Sequence, residues 1–359
     1  MSSDNPLRAA VAAALSCEVE GLVDVRREAL EYDAFLAHRA VHRVHGYALV
    51  GGDQVSWSLI EKATEGPGLA QPYLLDNGAR EFRAYESGLL DELAASVRAP
   101  RLYGSEEGAD GRLVLWLEEV PHHGPRPLDA QSLLKAAGDL GAMAGRWHGQ
   151  VAVEPWLFTG WIDRHSQPEA VPAGLVTLSQ RGPGMTARLG DRLAAAQRLV
   201  AAQPRLRRIL ESLPHTLCHH DAVGANVFVS RTTVLIDWET IGPGPVGADL
   251  ASLLFSSVRR GDATASVVVH LLDEAVAAYT EGARSEDPTI SPSNVRRGVD
   301  AAVALRWKLI VDVAASARTG HRLRRGSRPD ETAEDSTHEL MTLIDVLLEA
   351  AQRALHPKP

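Results

Sequence analysis

Apolar and polar positions change their period partway along the chain. From Val23 to Ile60 three runs, VDVRREALEYDAF, AVHRVHGYALV and QVSWSLIEKA, have the texture of strands, and Gly51, Gly52 and Asp53 separate the last two as a hairpin turn. Residues 6–16 read as a short alanine-rich helix ahead of them, and residues 66–78 (GPGLAQPYLLDNG) carry loop punctuation. AREFRAYESGLLDELAASV places Phe82, Tyr85, Leu89, Leu90 and Leu93 at helical spacing, with Pro100 as its stop. RLYGSEEGADGRLVLWLEEV then reads as two strands around a polar, glycine-containing turn. After Pro121 the pattern becomes helical. LDAQSLLKAAGDLGAMAGRWHGQVA predicts a long helix, and further helices fall near 189–213, 262–282, 293–317 and 332–354. Short strands fit Val227–Val229 and Thr233–Ile236. The order predicts an α+β chain: a small β-rich lobe over residues 1–119, then a larger, mainly helical lobe over residues 120–359.

Composition narrows the class. The chain has 359 residues, 45% hydrophobic and 23% charged, as ordinary soluble proteins do. Its net charge of −9 argues against non-specific nucleic-acid binding. No apolar run reaches membrane-spanning length, and the N-terminus lacks the basic leader of a signal peptide. Cys17 and Cys218 are the only cysteines, which predicts a reducing, cytoplasmic compartment rather than a disulfide framework. The acidity suits a cationic substrate and equally suits plain solubility.

The chemistry concentrates in one segment, HHDAVGANVFVSRTTVLIDWETIGPGPVGAD, from His219 to Asp249. Asp221 is followed by four residues and then Asn226, the spacing of H-R-D-x-x-x-x-N in protein kinases, where the acid is the base and the asparagine a metal ligand. Asp221 is therefore expected to orient and deprotonate an acceptor hydroxyl, with His219 buttressing the loop through hydrogen bonds. Asn226 and Asp237, hard oxygen donors, are expected to hold Mg2+. Asp237 follows the apolar strand VLI, with Trp238 packing beneath it. Asp249 reads as a helix N-cap. Lys62, at the end of a half-buried strand, is expected to reach the phosphates of ATP. Glu81 on the next helix would pair with it, and Glu86 competes for that role. Backbone groups near Glu118 and Val120, where the small lobe runs into the large one, are expected at the adenine edge.

CHHDAVGANVFV, VLIDWETIGPGPVGADLA, WSLIEK and AREFRAYESGLL carry a resemblance to the aminoglycoside phosphotransferase and choline-kinase-like enzymes, over roughly residues 40–350. The chain is also similar to a group of actinobacterial members with His-His-Asp in the loop. The resemblance implies a bilobal, protein-kinase-like fold and an ATP- and Mg2+-dependent kinase. In that family His-Gly-Asp is usual, so His220 stands where a glycine is expected, altering loop strain or bringing an imidazole to the substrate.

The acceptor is open at this stage: a small alcohol such as an antibiotic, sugar or amino alcohol, or a Ser or Thr of a ribosomally made precursor peptide. Trp161, Asp163, His165, Trp307 and Lys308 are candidate walls, and a polycationic antibiotic would call for clustered carboxylates. An inactive nucleotide-binding relative is a second class, which the intact set of Lys62, Asp221, Asn226 and Asp237 weighs against. A hydrolase with His219, His220 and Asp221 on one metal is a third, disfavoured because neighbours on an extended chain point to opposite faces. His122 and His123 read as surface.

Overall fold

The computed structural model describes residues 4–30, 39–64, 79–121, 128–150, 154–180, 189–319 and 332–357. The loop reading at 66–78 and the surface reading of His122 and His123 lie outside them. The small lobe is a five-stranded antiparallel sheet in the order β1-β2-β3-β6-β5. Its strands are β1 (Gly21–Ala29), β2 (Arg39–Val50), β3 (Asp53–Thr64), β5 (Leu102–Glu107) and β6 (Leu113–Glu118). Gly51 and Gly52 form the β2–β3 turn at φ 58 and 87, the left-handed geometry a two-residue hairpin demands, while Asp53 already pairs with Val50.

Strand alternation sorts the side chains. Val114 and Trp116 join Val44, Trp57 and Leu59 under helix α1 (Asp4–Leu15), while Leu113, Leu115 and Leu117 face the main core. Glu61 lies on the α1 face, accepting from Trp116 Nε1 at 3.2 Å. The period of two therefore turns Lys62 to the opposite face, toward the second lobe.

The helix expected across residues 79–97 stops early. Helix α2 (Ala79–Glu86) ends ahead of Gly88, which adopts φ 75, and a 3₁₀ turn (Leu89–Glu92) follows. Strand β4 (Val97–Arg98) then pairs in parallel with β9 (Thr233–Leu235), itself paired with β8 (Val227–Phe228). A strand from the N-terminal side of residue 119 is thus stitched into the helical lobe, a pairing that two residues of local pattern do not announce.

The helical lobe is centred on α3 (Ala130–Arg146) and α10 (Ala265–Glu286). A side chain on Gly141 would sit 2.0 Å from the Tyr279 carbonyl oxygen, and one on Gly282 would sit 2.0 Å from that of Gly138, so only glycine permits this crossing. The run near 189–213 is two helices, α6 (Arg192–Ala201) and α7 (Gln203–Ser212), because Pro204 fits only the first turn of the second. The run near 293–317 is also divided, into α11 (Pro292–Ala304) and α12 (Lys308–Thr319), by a turn at 305–307. Helix α13 (Ala333–Leu355) opens on a capping box between Thr332 and Asp335. Short α4 (Trp161–Ser166), α5 (Val171–Ser179) and the pair β7 (His215–Cys218) with β10 (Gly242–Pro245) complete the surroundings of the site. Helix α8 (Ala248–Ala251) passes through a π turn, Ser252–Ser256, into α9 (Ser257–Arg260). No helix among the described residues is long and apolar enough to cross a membrane.

Candidate active site

Strand β7 delivers the chain to His219 in the floor between the lobes. Two consecutive amides there point at one carboxylate: His219 N donates to Asp249 Oδ2 at 2.8 Å and His220 N to Oδ1 at 2.7 Å. Asp249 is therefore not the cap of α8, a position occupied by Gly247 at φ 92. It clamps the loop from beneath, and burial pushes its carboxyl up to about 6 despite the two amides.

His220 adopts φ 66, the left-handed region. This explains the glycine usual at that position, because a side chain there costs about 1–2 kcal/mol. Packing offsets the strain. The imidazole stacks on Trp161 (centroids 5.3 Å apart, planes at 19°), meets Phe158 edge-on at 6.1 Å, and lies 3.2 Å from the Pro243 carbonyl oxygen through Nε2. His220 is 5% exposed, and burial lowers its pKa to about 3. His219 is fully buried, with Nε2 donating to Ile236 O at 2.9 Å, Nδ1 accepting from Asp221 N at 3.2 Å, and its ring 4.5 Å from Trp238. Burial lowers its pKa to about 4, so at neutral pH it is an uncharged brace. The two imidazoles address different carbonyls and pack against different tryptophans, which is unlike a shared metal site.

These braces fix Asp221 and Asn226. Asn226 Nδ2 donates to both Asp221 O and Asp221 Oδ2 at 2.9 Å, so the amide oxygen is turned away from Asp221. Burial first, then the Asp237 carboxylate, push the Asp221 carboxyl up to about 6, against the pull of Arg260 and Arg164. Strand β9 carries the chain to Asp237, itself left-handed at φ 66. Trp238 behind it is fully buried, with its indole donating to Leu235 O at 2.8 Å.

The small lobe meets these groups through Lys62. Its ammonium donates to Glu81 Oε1 and Oε2 at 2.8 and 2.9 Å and lies 3.3 Å from Asp237 Oδ1. Glu81 also accepts from Trp238 N at 3.3 Å. Glu86 instead accepts from Ser105 Oγ on the outer surface. The neighbouring Arg80 is fully buried and donates to Trp156 O at 2.8 Å and Glu239 O at 2.6 Å, anchoring α2 to the helical lobe.

At Glu118 the structure narrows which backbone group could meet a nucleotide. The Glu118 amide donates to Arg101 O at 2.9 Å and the carboxylate is gripped by Arg98 at 2.5 Å, so the edge of the sheet has claimed its N–H. Val120, two residues on, lines a recess with Leu128, Val227 and Phe228. Of the candidate wall residues, both tryptophans take the ordinary place of that residue in the core: Trp161 is 2% exposed, and Trp307 is 1% exposed with its indole bonded to Ser166 O. Asp163 is paired with Arg207, while Lys308 is exposed. Asp249 and Arg80 escaped the sequence reading because each works through a backbone partner distant along the chain.

The model of the Phosphotransferase enzyme family matches residues 73–288, more than half of the chain. An amicoumacin kinase solved with AMP-PNP and Ca2+ is similar at 12% identity, covering 97% of this chain and 96% of its own, with a TM-score of 0.51. An aminoglycoside phosphotransferase from Alicyclobacillus acidocaldarius is similar at 14% identity over 91% of both chains, also with a TM-score of 0.51. No curated protein sequence matches the chain. At these identities the two structures show the fold, and with the family match they establish that the chain belongs to the phosphotransferase enzyme family and has its bilobal, kinase-like α+β architecture.

Proposed function

We propose that the chain transfers the γ-phosphate of ATP, with Mg2+, to a hydroxyl of a small molecule. The observation that carries this reading is the position of Lys62, which bonds Glu81 and lies beside Asp237 while Asp221 and Asn226 join each other in the adjoining loop. In this reading residues 1–119 serve the nucleotide and residues 120–359 supply the catalytic loop and the acceptor side. The two free cysteines suit a reducing, cytoplasmic setting.

The residues fit a magnesium–nucleotide complex. Asp237 and the outward-turned amide oxygen of Asn226 are hard donors, and Asp221 and Asp237 are near enough to repel each other, a repulsion a cation relieves. Bound there, Mg2+ and ATP supply the transferable phosphoryl group and neutralise its charge. Lys62, kept extended by Glu81, binds phosphate oxygens. Asp221, ionised at neutral pH, would accept the hydrogen bond of the incoming hydroxyl and take its proton as the γ-phosphoryl group passes to that oxygen from ADP, the leaving group. His219, His220 and Asp249 hold that carboxylate in place. Val120 and the recess beside it are the adenine-side surface.

Calorimetry of AMP-PNP binding with and without Mg2+ tests the assignment. Binding is expected to weaken by at least about tenfold without Mg2+, and similarly in Lys62→Met and Asp237→Asn. Nucleotide affinity indifferent to all three changes would refute it.

A further inference from the structure

Two arginines flank the loop that carries Asp221, and the fold fixes the elements that bear them. Arg164 lies on α4, whose Trp161 stacks on the ring of His220, the residue before Asp221. Arg164 is exposed, and among the described residues no carboxylate is ion-paired with it. Asp163, beside it, is turned to Arg207 on α7. Arg260 closes α9, 3.7 Å from Asp262 Oδ2. Asp262 Oδ2 in turn accepts from Ala225 N at 3.1 Å, so Arg260 is set against the catalytic loop. Both Arg164 and Arg260 act electrostatically on Asp221.

A third cation is built in below. Arg306 is 7% exposed, lying over the rings of Trp161 and Phe255 at 5.8 and 5.9 Å and donating to Ser252 Oγ and Ala302 O. Arg259 adds a further positive charge, 4.0 Å from Asp312. Of the nearby acids, Asp262 and Asp312 are each matched by an arginine, Asp163 is taken by Arg207, and Asp249 is held by the amides of His219 and His220. A chain of net charge −9 thus gathers cations beside its proposed base. A polycationic acceptor, which would call for clustered carboxylates, meets repulsion from these arginines instead.

Resting on the active-site reading above, we propose that the acceptor is a small hydroxyl compound bearing an anionic group, a carboxylate or a phosphate, which Arg164 and Arg260 bind beside Asp221. The guanidinium fork suits either anion. The anion fixes which hydroxyl is presented to Asp221, and the same field excludes amine-rich alcohols.

The test uses the full chain loaded with Mg2+ and AMP-PNP and four pyranoses that differ in charge: glucuronate, glucose 6-phosphate, glucose and glucosamine. Calorimetry at low ionic strength is expected to give an anionic member an affinity about tenfold above glucose, equivalent to about 1.4 kcal/mol, with glucosamine weakest. Added salt should narrow the gap. Whether glucuronate or glucose 6-phosphate leads identifies the anion. Arg164→Gln with Arg260→Gln should abolish the preference, and Arg164→Lys with Arg260→Lys should keep most of it, a contrast that general damage to the fold would not produce. Equal or no binding across the four, tightest binding of glucosamine, or a preference that survives the glutamine pair overturns the proposal. Stronger binding of an acidic serine peptide than of all four overturns the small-molecule class. AMP-PNP binding is measured first, without acceptor; its failure counts against the active-site reading, and its success with no charge preference counts against this inference alone.

Discussion

Gly244→Ala adds one methyl group whose nearest neighbours are His220 and Cys218 rather than Asp221, and it should nonetheless cripple transfer. The added carbon would sit 2.3 Å from His220 Cε1, 2.9 Å from Cys218 Sγ and 3.0 Å from His220 Nε2. Ordinary carbon–carbon contact is about 3.5–4.0 Å, so the ring must retreat by more than about 1 Å. It has nowhere easy to go: Trp161 covers its face, Phe158 its edge, and Asp249 grips its amide. Overpacking of this kind costs about 1–3 kcal/mol, or about 1–4 °C in melting temperature for a chain of this length. The catalytic cost is larger, because displacing His220 carries Asp221 with it and a misplacement of about 1 Å costs about 10²-fold in rate. The assay is phosphoryl transfer from labelled ATP beside a thermal melt. Gly138→Ala, whose new carbon meets its nearest atom at 3.6 Å, is the control that should change little. His220→Gly in the Gly244→Ala background removes the struck ring and suits φ 66, so it should recover at least about tenfold of the lost rate, a coupling typical of residues in contact. Wild-type turnover in Gly244→Ala, or no recovery in the double variant, would refute the claim that His220 sets the position of Asp221.

Further outcomes follow from the same contacts. Glu81→Gln should raise KM for ATP by about tenfold or more, because it discharges the partner that keeps Lys62 extended; steady-state kinetics reads this, and an unchanged KM would mean the pair is ornamental. Asp249→Ala should leave the buried amides of His219 and His220 unsatisfied at about 1–3 kcal/mol each, less the cost of burying the carboxylate; urea unfolding together with turnover should show a larger loss of rate than of stability. His220→Gly should change how stability responds to acid. The buried imidazole titrates near 3 when folded and near 6.5 when unfolded, so its contribution is present above about pH 6.5 and is lost as pH falls toward 3. The stability difference between wild type and His220→Gly should therefore shrink by about 3 kcal/mol between about pH 7.5 and about pH 4.5. Asp221 and Asp249, raised to about 6, work in the opposite sense below that pH in both proteins and cancel in the comparison. A pH-independent difference would contradict a neutral, buried His220.

The sequence made the site legible where its logic is local. Asp221 and Asn226 share one short loop, and Asp237 ends an apolar strand, so spacing and alternation suffice. Lys62 and Glu81 were legible for the same reason: strand period turns Lys62 off the α1 face, and Glu81 opens the next helix. What stayed hidden depends on contacts between distant segments. Asp249 resembles a helix cap in sequence because its partners, the amides of His219 and His220, lie 29 and 30 residues away. The strand pairs β4–β9 and β7–β10 involve only a few residues each and leave no periodic trace. The division of long helical patterns at Gly88 and Pro204 was legible in principle, since both residues interrupt helices for backbone reasons. In sequence Trp161 and Trp307 were open between groove wall and core, and they are core, where they cover His220 and Ser166. The arginines near Asp221 were the least accessible feature, since an acidic chain conceals where its cations lie.

The most direct test of the account is single-turnover transfer from labelled ATP in Asp221→Asn, at nucleotide concentrations that saturate both it and the wild type. The side chains of Asp and Asn are nearly the same size, so loop packing survives while the base does not. The account predicts a loss of at least about 10²-fold in transfer with AMP-PNP affinity close to that of the wild type. Transfer at the wild-type rate with nucleotide bound would contradict it, because the proton would then be leaving the acceptor by a route that does not involve Asp221.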